Sequence, residues 1–201
     1  MTKTLVVSYA PRKGSYTKQL VDEFITLSQN KTEISFLDLV TSPPDLLLSD
    51  NLNLILYGEE PKYTEEEKER LSNHFMLVQQ VLDTDHIVLA SPMYNFSLPA
   101  TVKAWVDNIV VINKTFSISE DGISQGLCKG KKALILAVAG GDYSEEEAKE
   151  YFSPAIKRNF EYIGIPSEQI SAFGIDQYPN KVDSIISKAK HEIHEVIKRW
   201  Y

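Results

Sequence analysis

A chain of 201 residues, 43% hydrophobic and 24% charged, has the length and composition of one globular domain able to build its own core. Its formal net charge of -7, with no basic stripe along it, opposes nucleic acid and anionic membrane as partners. One cysteine, Cys128, excludes internal disulfides, iron–sulfur clusters and thiolate zinc sites, and reads as a buried bystander because the His and Asn partners of a thiol nucleophile are not evident.

At the N-terminus, TLVVSY (residues 4–9) is β-branched and apolar, APRKGS breaks the pattern, and Leu20, Val21, Phe24 and Ile25 recur at helical spacing, giving strand, loop and helix. The run LVV is too short for a signal-peptide core, and no apolar run approaches the ~18 residues of a membrane span, so a soluble, cytoplasmic chain is expected. EISFLDL (33–39) reads as a second strand through Ile34, Phe36 and Leu37, ended by Pro43-Pro44, whereas residues 45–62 give no clear signal. Thr64 and Glu67 form a capping box ahead of a helical face of Leu71, Phe75, Val78 and Leu82. HIVLA (86–90) is a strand covered on both faces.

Further along, Val102, Trp105, Val106 and Ile109 mark another helix, and KKALILAVAGG supplies the fourth strand. A second capping box at Ser144 and Glu147 precedes Tyr151 and Phe152; Ser153-Pro154 starts a new turn or kinks that helix, and Gly164 ends it. QISAFGI is the fifth strand, and Val182, Ile185, Ala189, Ile193, Val196 and Trp200 stripe a final helix.

Strands regularly separated by helices imply right-handed crossovers and an α/β fold. The expectation is a doubly wound, five-stranded parallel sheet of order 2-1-3-4-5 with helices on both faces, in a single domain spanning residues 1–201. His74, His86, His191 and His194 fit no metal pattern, so no metal is expected. WVDNIVVI (105–112) is apolar around more of its circumference than one core-facing stripe needs, which predicts cover by a second subunit and hence a homodimer.

Ligands of an open parallel sheet bind beyond the carboxyl ends of its strands, near the reversal of strand order. Three such ends have unusual composition. SYAPRKGSYTKQL brings the Ser15 and Thr17 hydroxyls and the N–H groups of a helix start to where they can face a phosphate, although Ser15 as a plain N-cap accounts for the same residues. It lacks both the P-loop and the G-x-G-x-x-G patterns, which removes support for nucleoside triphosphate and Rossmann dinucleotide binding there. SPMYNFSLPATVKAWVD (91–107) should turn at Ser91-Pro92, run extended from Met93 to Phe96 with its amides free, and enter a helix near Ser97. Tyr94 and Phe96 can meet a flat heteroaromatic ring while backbone groups bond its polar edge, as a flavin requires; packing of the aromatics into the core is the alternative. AGG (139–141) has two positions without side chains, open to close approach of a ligand or to a tight turn.

The stretch SPMYNFSLPATVKAWVD, followed by KTFSISEDGISQGLCKGKKALILAVAGG, resembles the signature region of the FMN-dependent NADH-azoreductase family, flavodoxin-like quinone and azo reductases. The likeness runs over almost the whole chain through GSYTKQL, YTEEEKERL and FEYIGI, and the M-[YW]-N-F segment is its most specific part. It implies a flavodoxin-like sheet and FMN as cofactor. By this resemblance the phosphate falls on Ser15, Tyr16 and Thr17 with Tyr9 or Ser8 nearby, and the isoalloxazine falls on Met93, Tyr94, Asn95 and Phe96. The family's RGG or SRGG segment, on the far side of the flavin, corresponds to Val138, Ala139, Gly140 and Gly141. Ala139 stands where the arginine is usual, which removes a cation able to influence the reduced flavin or the substrate.

The resemblance further implies NADH or NADPH as co-substrate and quinones or aromatic azo compounds as acceptors, by two-electron ping-pong transfer through flavin N5 without a catalytic side chain. It implies flavin pockets at a homodimer interface, with Phe160 and Tyr162 walling the partner's substrate site. Two rivals stand beside it: a flavodoxin-like electron carrier without NADH turnover, and a flavin-free binding module on the same fold. No acidic ribose-reading or basic 2′-phosphate-reading motif separates NADH from NADPH.

Overall fold

In a computed structural model, which describes residues 1–57, 62–143 and 150–201, strands and helices alternate as the periodicity requires. In chain order they are β1 (Lys3–Ser8), α1 (Tyr16–Ser28), β2 (Glu33–Asp38), α2 (Ser49–Tyr57), α3 (Glu65–Arg70), α4 (Ser72–Leu82), β3 (His86–Pro92) and α5 (Ala100–Ile109). There follow β4 (Phe116–Ile118), β5 (Ser124–Gly126), β6 (Lys132–Val138), α6 (Phe152–Tyr162), β7 (Ser167–Ala172) and α7 (Val182–Trp200). The expected capping box at Ser144 and Glu147 lies outside the described residues.

Five strands form a parallel sheet in the order β2-β1-β3-β6-β7. The expected order 2-1-3-4-5 is corrected to 2-1-3-6-7, because an antiparallel hairpin of β4 and β5 intervenes in the chain and forms a sheet separate from the five-stranded one. Side chains of a strand alternate between faces, so the register sorts the core into two layers. Val6, Val88 and Leu134 sit side by side and pack with Leu20 and Phe24 of α1 and Ile193 and Trp200 of α7. Leu5, Ile87 and Ala133 face the other way, with Leu89 and Ile135, against Leu77 of α4, Trp105 of α5 and Phe152 and Phe160 of α6. Each fully buried aliphatic side chain of this kind contributes about 1.5–3 kcal/mol.

Several local expectations change. On the edge strand β2, Ile34 packs partly on one core layer and Leu37 is buried in the other, but Phe36, expected to point inward, is 53% exposed. The helix after Thr64 is two helices broken at Leu71; the capping box is present in both of its bonds, Glu67 N–H to Thr64 Oγ1 and Thr64 N–H to the Glu67 carboxylate. Part of the ambiguous 45–62 stretch is α2. Pro154 sits in the first turn of α6, where a missing N–H costs nothing, so it does not kink the helix. Gly164, at φ +91, follows the C-cap Ile163 and ends α6 as expected.

The all-round apolar character of 105–112 has an explanation within the chain. Trp105, Val106, Ile109 and Val111 are buried, and so is Asn108, whose amide donates to Asp45 O at 2.8 Å and Ala104 O at 2.9 Å and meets His74 Nδ1 at 3.0 Å. Helix α5 is therefore wrapped by its own chain, and its apolarity does not call for a second subunit.

Candidate functional site at the carboxyl rim of the sheet

The segments leaving β1, β3 and β6 extend the strand ladder by one more bond each. Tyr9 N–H donates to Ala90 O at 2.9 Å, Met93 N–H to Val138 O at 2.8 Å and Ala139 N–H to Ala172 O at 3.1 Å. Beyond these bonds the three loops are tied by aromatic edges: Tyr9 against Tyr94 at 6.2 Å, Phe96 against Tyr143 at 6.1 Å and Tyr143 against Phe173 at 5.8 Å. The sheet's register thus delivers all three predicted segments to one rim.

On the first segment, Gly14 turns the chain at φ +71 into α1, whose N-cap is Ser15. Ser15 Oγ accepts the Lys18 N–H at 3.4 Å and keeps its own proton to donate. The N–H groups of Tyr16 and Thr17 have no partner within the helix and open at its positive end, where no acidic side chain occupies the first turn. Ser8, Ser15 and Thr17 are buried, Tyr9 and Tyr16 half-buried. This end therefore meets the requirements of a phosphate cradle.

The second segment differs from the expected extended run. Tyr94 N–H donates to Ser97 O at 3.1 Å and Ser97 N–H to Tyr94 O at 3.0 Å, with Asn95 at φ 49 and Phe96 at φ 66 between them. Two left-handed residues closed by a pair of bonds make a type I′ turn. The Tyr94 amide is consequently taken, and α5 starts at Ala100 rather than near Ser97. The N–H groups of Asn95 and Phe96 have no partner among the described residues. A phenylalanine at positive φ is strained by about 1–2 kcal/mol. Tyr151 N–H, donating to Phe96 O at 2.7 Å, holds it there from the start of α6. Tyr94 is 39% and Phe96 54% exposed, so neither aromatic is spent on the core, and Met93 alone packs partly into it.

In the third segment Val138 and Ala139 are buried at the end of β6. The Gly140 carbonyl accepts from Asp176 N–H at 2.9 Å and Gln177 N–H at 3.0 Å, and the Gly141 carbonyl from Gly174 N–H at 2.8 Å, so the loop after β7 fixes both peptide planes. The N–H groups of Gly140 and Gly141 have no partner among the described residues. A Cβ at Gly140 would overlap the Asp176 carboxylate, and one at Gly141 would press on the Tyr143 ring at 3.0 Å. The missing side chains thus serve contacts inside the protein. Ala139 is 4% exposed, so its methyl is buried at the end of β6.

Tyr143, Tyr151, Phe173 and Asp176 belong to this rim without a signal in their sequence surroundings; tertiary contact alone brings them in. Phe160 and Tyr162, which the resemblance gives to a partner's substrate site, lie away from this chain's own rim. Phe160 is 2% exposed and packs edge-on against Trp105 at 6.3 Å, and Tyr162 lies on Phe116 of the hairpin at 4.8 Å. Among the described residues no group of three His, Cys, Asp or Glu side chains could hold a metal ion, and no helix is long and apolar enough to cross a membrane. Cys128 is buried with its Sγ 3.9 Å from Thr115 O, and burial raises its thiol pKa.

A family model described as a flavodoxin-like fold matches residues 2–197. An FMN-dependent NADH:quinone oxidoreductase of Azotobacter vinelandii is 32% identical over 201 residues, covering 98% of this chain and 100% of its own. Another protein of that description, from Nostoc punctiforme, is 30% identical over 208 positions and covers 100% of both chains. A solved azoreductase structure from Bacillus anthracis superposes with a TM-score of 0.90 at 25% identity over 100% of both chains.

Proposed function

Since the chain belongs to the flavodoxin-like family of FMN-dependent NADH:quinone oxidoreductases, we propose that its carboxyl rim is where it binds FMN and carries out that family's chemistry. The enzyme is an FMN-dependent oxidoreductase that uses NADH to reduce quinones and azo compounds. The observation that carries the assignment to this rim is the lacing of three strand-end segments into one surface, with open N–H donors on each.

The donor set fits the group chemically. Ser15 Oγ and the N–H groups of Tyr16 and Thr17 take the phosphate at the positive end of α1, with Tyr9 beside them. Met93, Tyr94, Asn95 and Phe96 hold the ring: the strained turn offers its two outward amides to a polar edge, and its exposed aromatics offer apolar surface. The open amides of Gly140 and Gly141, beside Val138 and Ala139, supply further donors. When bound, FMN supplies a two-electron relay from nicotinamide to acceptor, so the chain needs no nucleophile of its own. Backbone N–H groups are fixed before binding and cannot ionise, which suits them to stabilise negative charge on a ring.

A homodimer and a cytoplasmic location complete the proposal. The first is supported by exposed Tyr94, Phe96 and Tyr151 at the rim and by Ile118, Ile123 and Leu127 along the hairpin, which a second copy would cover. The second is supported by the need for a nicotinamide co-substrate. The decisive experiment records the visible spectrum of the protein with FMN and then mixes it anaerobically with NADH and NADPH separately. Bleaching of bound flavin is expected, and bleaching by neither refutes the enzymatic reading; sedimentation as a monomer at full activity refutes the dimer.

A further inference from the structure

Between α2, α4 and the segment that leaves α5 lies a cavity of about 270 Å³, none of whose lining residues belongs to the rim. In its wall Val78 and Val111 are buried while Gln79 and Asn113 are exposed, so its floor is apolar and its mouth polar. Two aromatic rings, Tyr63 and Phe75, line it with centroids 6.1 Å apart. The Tyr63 hydroxyl donates to Leu54 O at 2.7 Å, so this residue offers the cavity its ring rather than its proton. An apolar cavity of about 150 Å³ already accepts benzene, which leaves room here for one ring with a substituent.

A buried polar group in the same wall is the imidazole of His74, 4% exposed. Its tautomer follows from its neighbour. Asn108 Nδ2 donates to two carbonyl oxygens, Asp45 O at 2.8 Å and Ala104 O at 2.9 Å, which only the NH2 end of an amide can do. The atom 3.0 Å from His74 Nδ1 is therefore the amide oxygen, and Nδ1 must carry the proton. Burial lowers the pKa of the ring, so it is neutral at pH 7 and Nε2 is an acceptor. Nε2 has no partner among the described residues, yet it is not sealed off as His86 Nδ1 and Trp105 Nε1 are, so its lone pair opens on the space that His74 lines.

A fixed lone pair, an aromatic wall and an apolar floor match one ligand class. We propose that this cavity binds a single aromatic ring bearing a hydroxyl, its O–H donated to His74 Nε2 and its ring against Tyr63 and Phe75. A phenol satisfies the acceptor, whereas a quinone, whose oxygens only accept, leaves it unmet in a desolvated place. Resting on the function proposed above, the occupant is the hydroquinone that the reaction releases. Two electrons and two protons turn both carbonyl oxygens of a quinone into hydroxyls, so the site takes product and refuses substrate.

The test is calorimetric titration of phenol and of methoxybenzene, similar rings with and without a donor, into FMN-saturated protein and again into flavin-free protein. Phenol should bind with a Kd on the order of 0.1–1 mM, methoxybenzene roughly tenfold more weakly, and FMN should change neither. Ile112→Trp fills the cavity from a half-buried position and leaves the His74–Asn108 pair intact; it should abolish phenol binding while FMN affinity and quinone reduction stay at parent values. His74→Leu should bind the two rings alike. Because that variant leaves Asn108 Oδ1 unpaired, nitrogen NMR of the intact protein gives a second reading: an unprotonated Nε2 whose resonance moves with phenol and not with methoxybenzene. Hydroquinone, titrated without oxygen, should compete with phenol, and failure to compete overturns its assignment as the occupant. A protonated Nε2 in the free neutral ring, equal affinity for the two probes, or phenol binding unaltered in Ile112→Trp overturns the site even if NADH bleaches the flavin. Phenol binding that moves Nε2 and depends on position 112, in a protein whose flavin NADH does not reduce, supports the site and counts against the enzymatic reading instead.

Discussion

The turn at Asn95-Phe96 gives the sharpest quantitative test, because glycine and alanine at position 96 separate backbone strain from the ring. Both substitutions remove the same aromatic side chain, its 6.1 Å edge contact with Tyr143 included. They differ in the backbone, which at φ 66 penalises any Cβ by about 1–2 kcal/mol. Glycine escapes that penalty but returns about 0.4–1 kcal/mol through the greater freedom of its unfolded chain. Phe96→Gly should therefore be more stable than Phe96→Ala by about 0.8 kcal/mol, or roughly 2–3 °C in melting temperature for a domain of this size. Urea denaturation of the flavin-free variants, checked by thermal melting, reads the difference directly. If the alanine variant equals or exceeds the glycine variant, position 96 is not left-handed and the description of the turn fails. Flavin titration provides the second readout: both variants should lose about 2- to 10-fold in FMN affinity, the worth of one aromatic contact.

Gly126→Ala should cost about 3 kcal/mol, because the new methyl overlaps the Gly164 backbone, whereas Gly140→Ala should cost less than about 1 kcal/mol, since the Asp176 carboxylate is the exposed end of a side chain and can swing aside; chemical denaturation ranks the two. Ser15→Ala should lower stability by about 0.5 kcal/mol, a small loss for an N-cap because the bond to Lys18 N–H is long at 3.4 Å, and should weaken FMN binding in a fluorescence titration. Burial lowers the pKa of both His74 and His86. The unfolded chain then takes up protons first as pH falls, so the stability these neutral imidazoles contribute is present above about pH 6.5 and is lost progressively below it. Melting temperature against pH should show that acid limb, and replacement of His86 by phenylalanine should flatten it.

The sheet was legible because its strands follow simple rules. TLVVSY, HIVLA and KKALILAVAGG are apolar runs too short for helices, and the cover on both faces follows from the alternation of Leu5 and Val7 with Val6. The hairpin was not, since FSI and SQG are three-residue, largely exposed strands without any period to read. The three rim segments were legible from their position after strands, but the local geometry of 93–97 was not. Asn-Phe lacks the glycine that marks a type I′ turn, and only the distant Tyr151 N–H makes the strained form worthwhile. The opposite error occurred at 105–112, where an all-round apolar helix suggested a partner chain. A buried Asn108, bonded to Asp45 O across 63 residues of sequence, shows that the cover is intramolecular.

The turn held between the Ser97 bonds and the Tyr151 N–H also bears on how fast a ligand can be captured. Its outward amides are set in place before anything arrives, so no loop has to be ordered on contact and little entropy is forfeited at that step. Uptake at the turn should then be governed by collision, with an observed rate that climbs linearly with ligand concentration and shows no plateau from a slow rearrangement.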